Sequence, residues 1–142
     1  MRDLKNITRK ASDWCLVATG TLNDPYTGKV IKFVRGVGTS LAVQIDHVVA
    51  LSNAWSTGAQ SISSTARYQL ANDPLNLLAV DGPTNGSKSD SDAANFLPRA
   101  AYQCKYVARQ LSVKRKYHLW VTAAEKSAMV RVLSTCPTQK LP

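Results

Sequence analysis

Three observations predict a single α+β domain for this chain. Short apolar, β-prone runs fill its first half, Pro- and Gly-bearing turns separate them, and the last third carries apolar residues at helical spacing. At 142 residues, 44% apolar and 19% charged, it can bury a core without staples and has a globular balance. No internal repeat, low-complexity tract or linker divides it. No run reaches the roughly 18 apolar residues of a membrane span. The opening Met1-Arg2-Asp3-Leu4-Lys5 lacks the apolar core of a signal peptide.

Residues 1–12 are polar and basic and read as a short helix or an arm. Trp14-Cys15-Leu16-Val17-Ala18-Thr19-Gly20 and Lys29-Val30-Ile31-Lys32-Phe33-Val34 read as strands. Asn23-Asp24-Pro25-Tyr26-Thr27-Gly28 reverses the chain between them, which makes Thr19 to Phe33 a hairpin. Leu41 to Asp46 is the next strand. Val48, Leu51 and Trp55 then fall at helical spacing, with Gly58 as the stop. Ser63 or Ser64 caps a short helix through Leu70, and Asn72-Asp73-Pro74 ends it, because the residue before proline avoids the α region. Leu75 to Val80 is a short strand, Asp81-Gly82-Pro83 a turn, and Asn85 to Phe96 a polar helix or loop. A helix is predicted over Ala100 to Val113. Thr122-Ala123-Ala124-Glu125 is a capping box that opens a last helix, with Ala128, Met129, Val132 and Leu133 on its core face.

Eighteen Lys and Arg against nine Asp and Glu give a net charge of +9 and a pI near 9.8. Such an excess favours a polyanion partner through long-range attraction and counterion release. Between Ala93 and Ala124 stand six cations (Arg99, Lys105, Arg109, Lys114, Arg115, Lys116) and no acid. A solvated basic face on a secreted protein fits the same charge, as does affinity for an anionic membrane or wall polymer. Cys15, Cys104 and Cys136 form an odd set that defines no disulfide framework. Cys104 and Cys136 fall on the two C-terminal helices and suit a bridge in an oxidising compartment. Three buried, reduced thiols is the other reading. No CxxC or Cys/His cluster supports zinc.

Asp46-His47 ends the run Leu41-Ala42-Val43-Gln44-Ile45, in a chain whose other histidine, His118, lies far downstream. Asn76 follows within Ala71-Asn72-Asp73-Pro74-Leu75-Asn76-Leu77-Leu78-Ala79-Val80, and Asn85 opens Asn85-Gly86-Ser87-Lys88. Cleaving a phosphodiester needs an activated water, a counter-charge for the developing phosphorane and help for the leaving oxygen. A hard ion such as Mg²⁺ keeps several of its waters, so one carboxylate and one carboxamide suffice from the protein. Asp46 and Asn85 can supply them, and a neutral imidazole at His47 suits proton abstraction from water. Adjacent strand residues point to opposite sides, so Asp46 and His47 share a site only if the strand breaks there. Each residue also has a plainer use. Asp-His after a strand suits a helix N-cap, Asn76 can close the turn after Pro74, Asn85-Gly86 is a common turn, and Lys88 is one of eighteen cations.

In order and context these residues resemble the HNH endonucleases. Their ββα-metal module has a strand ending in an acid and a catalytic histidine, a second strand with a central asparagine, and a helix supplying a His or Asn ligand. Asp46-His47 matches the first element, Asn76 the second and Asn85 the third. Asn85-Gly86-Ser87-Lys88-Ser89-Asp90 is similar to the Asn-x-x-Lys-x-Asp form found in RNA-guided nucleases. More closely, Asp24-Pro25-Tyr26-Thr27-Gly28, Ile45-Asp46-His47-Val48-Val49-Ala50-Leu51, Ala54-Trp55, Gly58-Ala59 and Ala71-Asn72-Asp73-Pro74-Leu75-Asn76-Leu77 resemble a bacterial, mostly secreted HNH family. That family is related to the C-terminal domain of modification-dependent restriction endonucleases. Phe96-Leu97-Pro98, Cys104-Lys105-Tyr106 and Cys136 extend the likeness over roughly residues 14–136.

The resemblance implies one HNH nuclease domain over 1–142, with a ββα-metal core over about 41–96, an N-terminal hairpin before it and basic C-terminal helices over about 98–136. It implies a monomeric, secreted endonuclease (cytoplasmic if not exported) acting on DNA, or RNA, with little sequence specificity and no membrane partner. Asp46 and Asn85 are expected to hold Mg²⁺ or Mn²⁺, His47 to act as general base, and Asn76 to position the loop carrying His47. Asparagine at the third position disfavours softer transition metals. Lys88 and Arg67 are expected to touch phosphate, and Arg109, Lys114 and Lys116 to follow the nucleic-acid backbone. The family's usual upstream cysteine, which would pair Cys15, has no counterpart before Met1. Two rival readings are a basic nucleic-acid-binding domain with an inactive HNH site, and a toxin-type nuclease effector partnered by an immunity protein.

Overall fold

The computed structural model describes residues 2–142. Strands β1 (Leu4–Lys10), β2 (Asp13–Asn23) and β3 (Val30–Val34) form one antiparallel sheet, and β4 (Val43–His47) and β5 (Leu77–Asp81) form a second. The connection from β4 to β5 carries α1 (Leu51–Ser56) and α2 (Ser64–Asn72). Helix α3 (Gly82–Lys88) leaves β5 directly, and α4 (Ala100–Lys116) and α5 (Ala123–Leu133) close the chain. The architecture is α+β, with antiparallel strands and most of the helical mass gathered in the last third.

β2 and β3 pair from Thr19↔Val34 to Asn23↔Val30, which is the predicted hairpin. Asp24 holds its turn, accepting from the Thr27 amide at 2.7 Å and the Thr27 hydroxyl at 2.5 Å. Gly28 takes φ +81° against the Arg99 guanidinium, where a Cβ would lie 2.3 Å from Nη1. The helix or arm expected over residues 1–12 is instead β1. Leu4 and Ile7 have helical spacing, but β2 offers a free edge, and pairing with it wins. The register runs from Leu4↔Leu22 to Lys10↔Asp13, with irregularities around Asn6, whose φ of +50° an asparagine tolerates well.

The expected turn at Asp81-Gly82-Pro83 is the start of α3. Asp81 caps it, accepting from the Thr84 amide at 2.9 Å and the Thr84 hydroxyl at 2.6 Å, and Pro83 sits in the first turn, where its missing N–H costs nothing. Gly82 lets this helix lie against the chain entering β4: a Cβ there would stand 1.9 Å from the Leu41 carbonyl oxygen. Gly82→Ala should push α3 away from β4 and cost about 1–3 kcal/mol, as overpacking does. Urea denaturation measures this, and an unchanged midpoint would refute the close approach.

Val48, Leu78 and Val80 pack against Tyr106 and Val107 of α4, Ala128, Met129 and Val132 of α5, and Tyr26 from the hairpin. Val49, Ala54 and Leu70 gather with Val113 and Tyr117 in a second cluster. α4 therefore underlies both β4–β5 and the helices between them, each buried aliphatic contributing roughly 1.5–3 kcal/mol. The capping box at Thr122 and Glu125 starts α5 as predicted. Cys104 and Cys136 form a disulfide across 32 residues, worth about 3–4 kcal/mol through the restricted unfolded chain, while Cys15 is free and exposed. Among the described residues no helix is long and apolar enough to cross a membrane.

Candidate active site

β4 delivers Asp46 and His47, paired with Leu78 and Leu77 of β5, and the chain bends at Val48–Val49. Asn76, fully buried, holds that bend from the other side of the β4–β5 connection. Its carbonyl accepts from the Val48 amide at 2.8 Å and its Oδ1 from the Val49 amide at 2.8 Å. Its Nδ2 donates to the Val49 carbonyl at 3.2 Å and the Leu70 carbonyl at 3.4 Å. A carboxamide can satisfy an N–H and a C=O at once, which no apolar residue does. Asp73 in turn organises the approach to Asn76. Burial pushes its carboxyl up, but hydrogen bonds from Lys116, the Leu75 amide and Tyr117 outweigh that and hold it below the usual carboxylate range.

β4 runs through Asp46 and His47 without the break expected between them. Both residues nonetheless line one open depression of about 340 Å³, together with Ile45, Leu51, Ser52, Asn85, Ser89 and Asp90. Hollows of about 600 and 650 Å³ lie elsewhere, one beside Tyr117 and Asn72 and one between the two sheets. Neither contains this set of residues. His47 is half-buried, and its Nε2 lies 2.8 Å from the Ala71 carbonyl. A carbonyl only accepts, so Nε2 carries the proton and Nδ1 of the neutral ring holds the free lone pair.

Asp46 is 4% exposed, and both its oxygens are engaged. Lys88 Nζ donates to Oδ1 at 2.9 Å and to the His47 carbonyl at 3.0 Å, while the Tyr26 hydroxyl donates to Oδ2. Burial, with Tyr106 and Asp46 nearby, pushes the Tyr26 phenol far up, so it stays a proton donor. Asn85 and Lys88 stand three residues apart on α3 and so share one face of it. Asn85 Nδ2 donates to Gln44 Oε1 at 2.9 Å, and its side-chain oxygen Oδ1 has no hydrogen bond among the described residues.

This donor set suits only a particular kind of cation. No group of three or more His, Cys, Asp or Glu gathers in metal-binding geometry among the described residues. The depression offers the Asp46 carboxylate, the Asn85 carboxamide and, at its rim, Asp90, which accepts from Ser52 Oγ at 3.3 Å. Few, hard oxygen donors fit an ion that keeps most of its waters, with Lys88 already neutralising part of Asp46.

The cations expected at nucleic acid divide sharply. Lys88 is fully buried, its ammonium spent on Asp46 and His47, so it does not contact phosphate. Lys114 is also inside, 2.9 Å from Glu125 Oε1, and does not line a binding face. Arg109 donates to the carbonyls of Leu75, Pro74 and Leu77 and ties α4 to the approach to β5. Buried ammonium groups need partners, and Lys88 and Lys114 have found them inside, while Arg109 is half-buried with its guanidinium engaged by three carbonyls. Lys116 is exposed, paired with Asp73 at 2.6 Å, and Arg67 is half-buried with its guanidinium over Trp55. Tyr26, Gln44, Ser52 and Asp90 are additions. Tyr26 was visible only as part of a turn and Asp90 only as the last residue of the Asn85–Asp90 motif, and nothing local marked Gln44 or Ser52.

Residues 2–132 match the family described as GmrSD restriction endonucleases, C-terminal domain, and the chain belongs to that family. A protein of Arthroderma benhamiae named "Uncharacterized secreted protein" is 38% identical over 138 residues, covering 95% of this chain. The chain spans 64% of that protein's length. The expected bacterial type thus has a fungal relative. No solved structure matches the chain.

Proposed function

We propose that the protein is a secreted, metal-dependent endonuclease that hydrolyses DNA phosphodiester bonds with little sequence preference. The observation that carries this is one depression shared by Asp46, His47 and Asn85, with the His47 lone pair free at Nδ1. Membership of a restriction-endonuclease domain family supports it, and the antiparallel β4–β5 pair followed directly by α3 supports reading this unit as a ββα-metal module. The disulfide and the secreted relative support an extracellular location.

In this reading Asp46 and Asn85 hold Mg²⁺ or Mn²⁺, which when bound supplies counter-charge to the phosphate and the leaving oxygen. His47 Nδ1 takes a proton from the attacking water, and the Ala71 carbonyl orients the ring and steadies the charge it gains. Asn76 holds the bend that aims His47. Lys88 and Tyr26 fix the Asp46 carboxylate so that it does not rotate away. Arg67 and Lys116 are the remaining candidates for backbone contact.

Incubating the protein with supercoiled plasmid tests this. Nicking in Mg²⁺ or Mn²⁺ that EDTA abolishes is the expected result. Salt-sensitive retention of the plasmid without nicking in either ion would sink the enzyme reading and leave a basic binding domain.

A further inference from the structure

Trp55 leaves 54% of its surface exposed, and the Arg67 guanidinium carbon lies 5.6 Å from its ring centroid. That guanidinium is held in place, because its Nη1 donates to the carbonyls of Ile62 and Ala59. Two helices locate the pair beside the depression. On α1, Trp55 stands one turn beyond Leu51, which lines the depression. On α2, Arg67 stands one turn before Ala71, whose carbonyl holds His47. Trp55 and Trp14 both lie outside the lining of the depression. However, α1, which carries Trp55, contributes Leu51 and Ser52 to it, whereas the β1–β2 hairpin, which carries the similar pair of Trp14 with Arg9 at 5.3 Å, contributes no residue.

We infer that Trp55, flanked by the fixed Arg67 cation, is a stacking platform for one unpaired base next to the phosphate that enters the depression. The preferred substrate class is then single-stranded or locally melted DNA rather than intact duplex. This rests on reading the depression as the phosphodiester site. An indole face stacks on the face of a base, and a paired base presents only its edges to a groove. Intact duplex therefore gains nothing from Trp55, whereas an unpaired strand gains a stacking contact. The charge fits the same occupant: the chain carries +9, and Arg67 places one positive charge over one face of the ring, so the base would take the opposite face.

The test is fluorescence anisotropy with the full chain carrying His47→Ala, in EDTA so that nothing is cut. Its probes are a labelled single strand, the blunt duplex of the same sequence, and that duplex with an internal unpaired bubble. Single strand and bubble should bind more tightly than blunt duplex. Adding Trp55→Ala should weaken both about tenfold, the usual worth of one stacked base, and change the blunt duplex by less than about twofold. Trp55→Phe should recover most of the loss, and Trp14→Ala should alter none of the three. Equal losses on all probes, or no loss on the single strand, would overturn the inference. If Trp55→Ala lowers folded yield, Trp55→Leu keeps the apolar bulk without the ring and should give the same selective loss. Failure of the nuclease reading appears separately, as a wild-type protein that never nicks plasmid, and leaves these binding ratios measurable.

Discussion

His47→Ala is expected to reduce plasmid nicking by at least about 10²–10⁴-fold, the range a general base contributes. Affinity for DNA and for Mg²⁺ should stay close to wild type. The separation follows from geometry. The imidazole lines the depression, and its side-chain hydrogen bond among the described residues is to the Ala71 carbonyl, so its removal unties no candidate oxygen donor of the ion. Calorimetric titration with Mg²⁺ and anisotropy with duplex DNA check the second half, and gel analysis of nicked circles checks the first. Nicking at the wild-type rate would remove His47 from the mechanism. Loss of Mg²⁺ binding together with activity would instead make the ring a ligand or a structural prop.

Lys114→Met carries the largest expected effect on stability. Its ammonium, 2% exposed, donates to Glu125 Oε2 at 3.1 Å, the Trp120 carbonyl at 3.0 Å and Thr57 Oγ1 at 3.3 Å. Burial pushes this lysine below its ordinary range, and the hydrogen bond and charge of Glu125 pull it back up. Removing the cation leaves the Glu125 carboxylate buried with only the Thr122 amide for company. Breaking one half of such a pair typically costs about 3–5 kcal/mol. The urea midpoint should fall accordingly, and Lys114→Met with Glu125→Gln should recover part of the loss because the two residues are coupled. DNA affinity of the folded fraction should keep its salt dependence. A variant of normal stability whose DNA binding loses salt sensitivity would return Lys114 to a binding face.

These two residues show what reading the chain could and could not place. His47 stood out as a candidate because its neighbour in sequence, Asp46, lines the same depression. β4 ends on an acid and an imidazole, and β5 returns 30 residues later with Asn76 just before Leu77. The hairpin and the final helix were legible for similar reasons, since turn residues and caps act within a few positions. The Cys104–Cys136 bridge, in contrast, was one of two open readings, and Cys136 lies past the end of α5 rather than on it. Lys114 was not legible. In sequence it is one cation in a basic run, and only the packing of α5 against α4 supplies the carboxylate that takes it inside. Lys88 is the same case, because its partner Asp46 lies 42 positions away.

Amino-acid order alone was enough for the α+β class, the β2–β3 hairpin and the two C-terminal helices, because propensity, turn chemistry and spacing are local, and it marked Asp46, His47, Asn76 and Asn85 as the candidate set. Folding in three dimensions settled which charges face water, that residues 4–10 pair as a strand, and that Tyr26 and Lys88 close around Asp46. Those outcomes turn on desolvation and on which partner arrives from a distant segment, and neither quantity exists until the chain has packed.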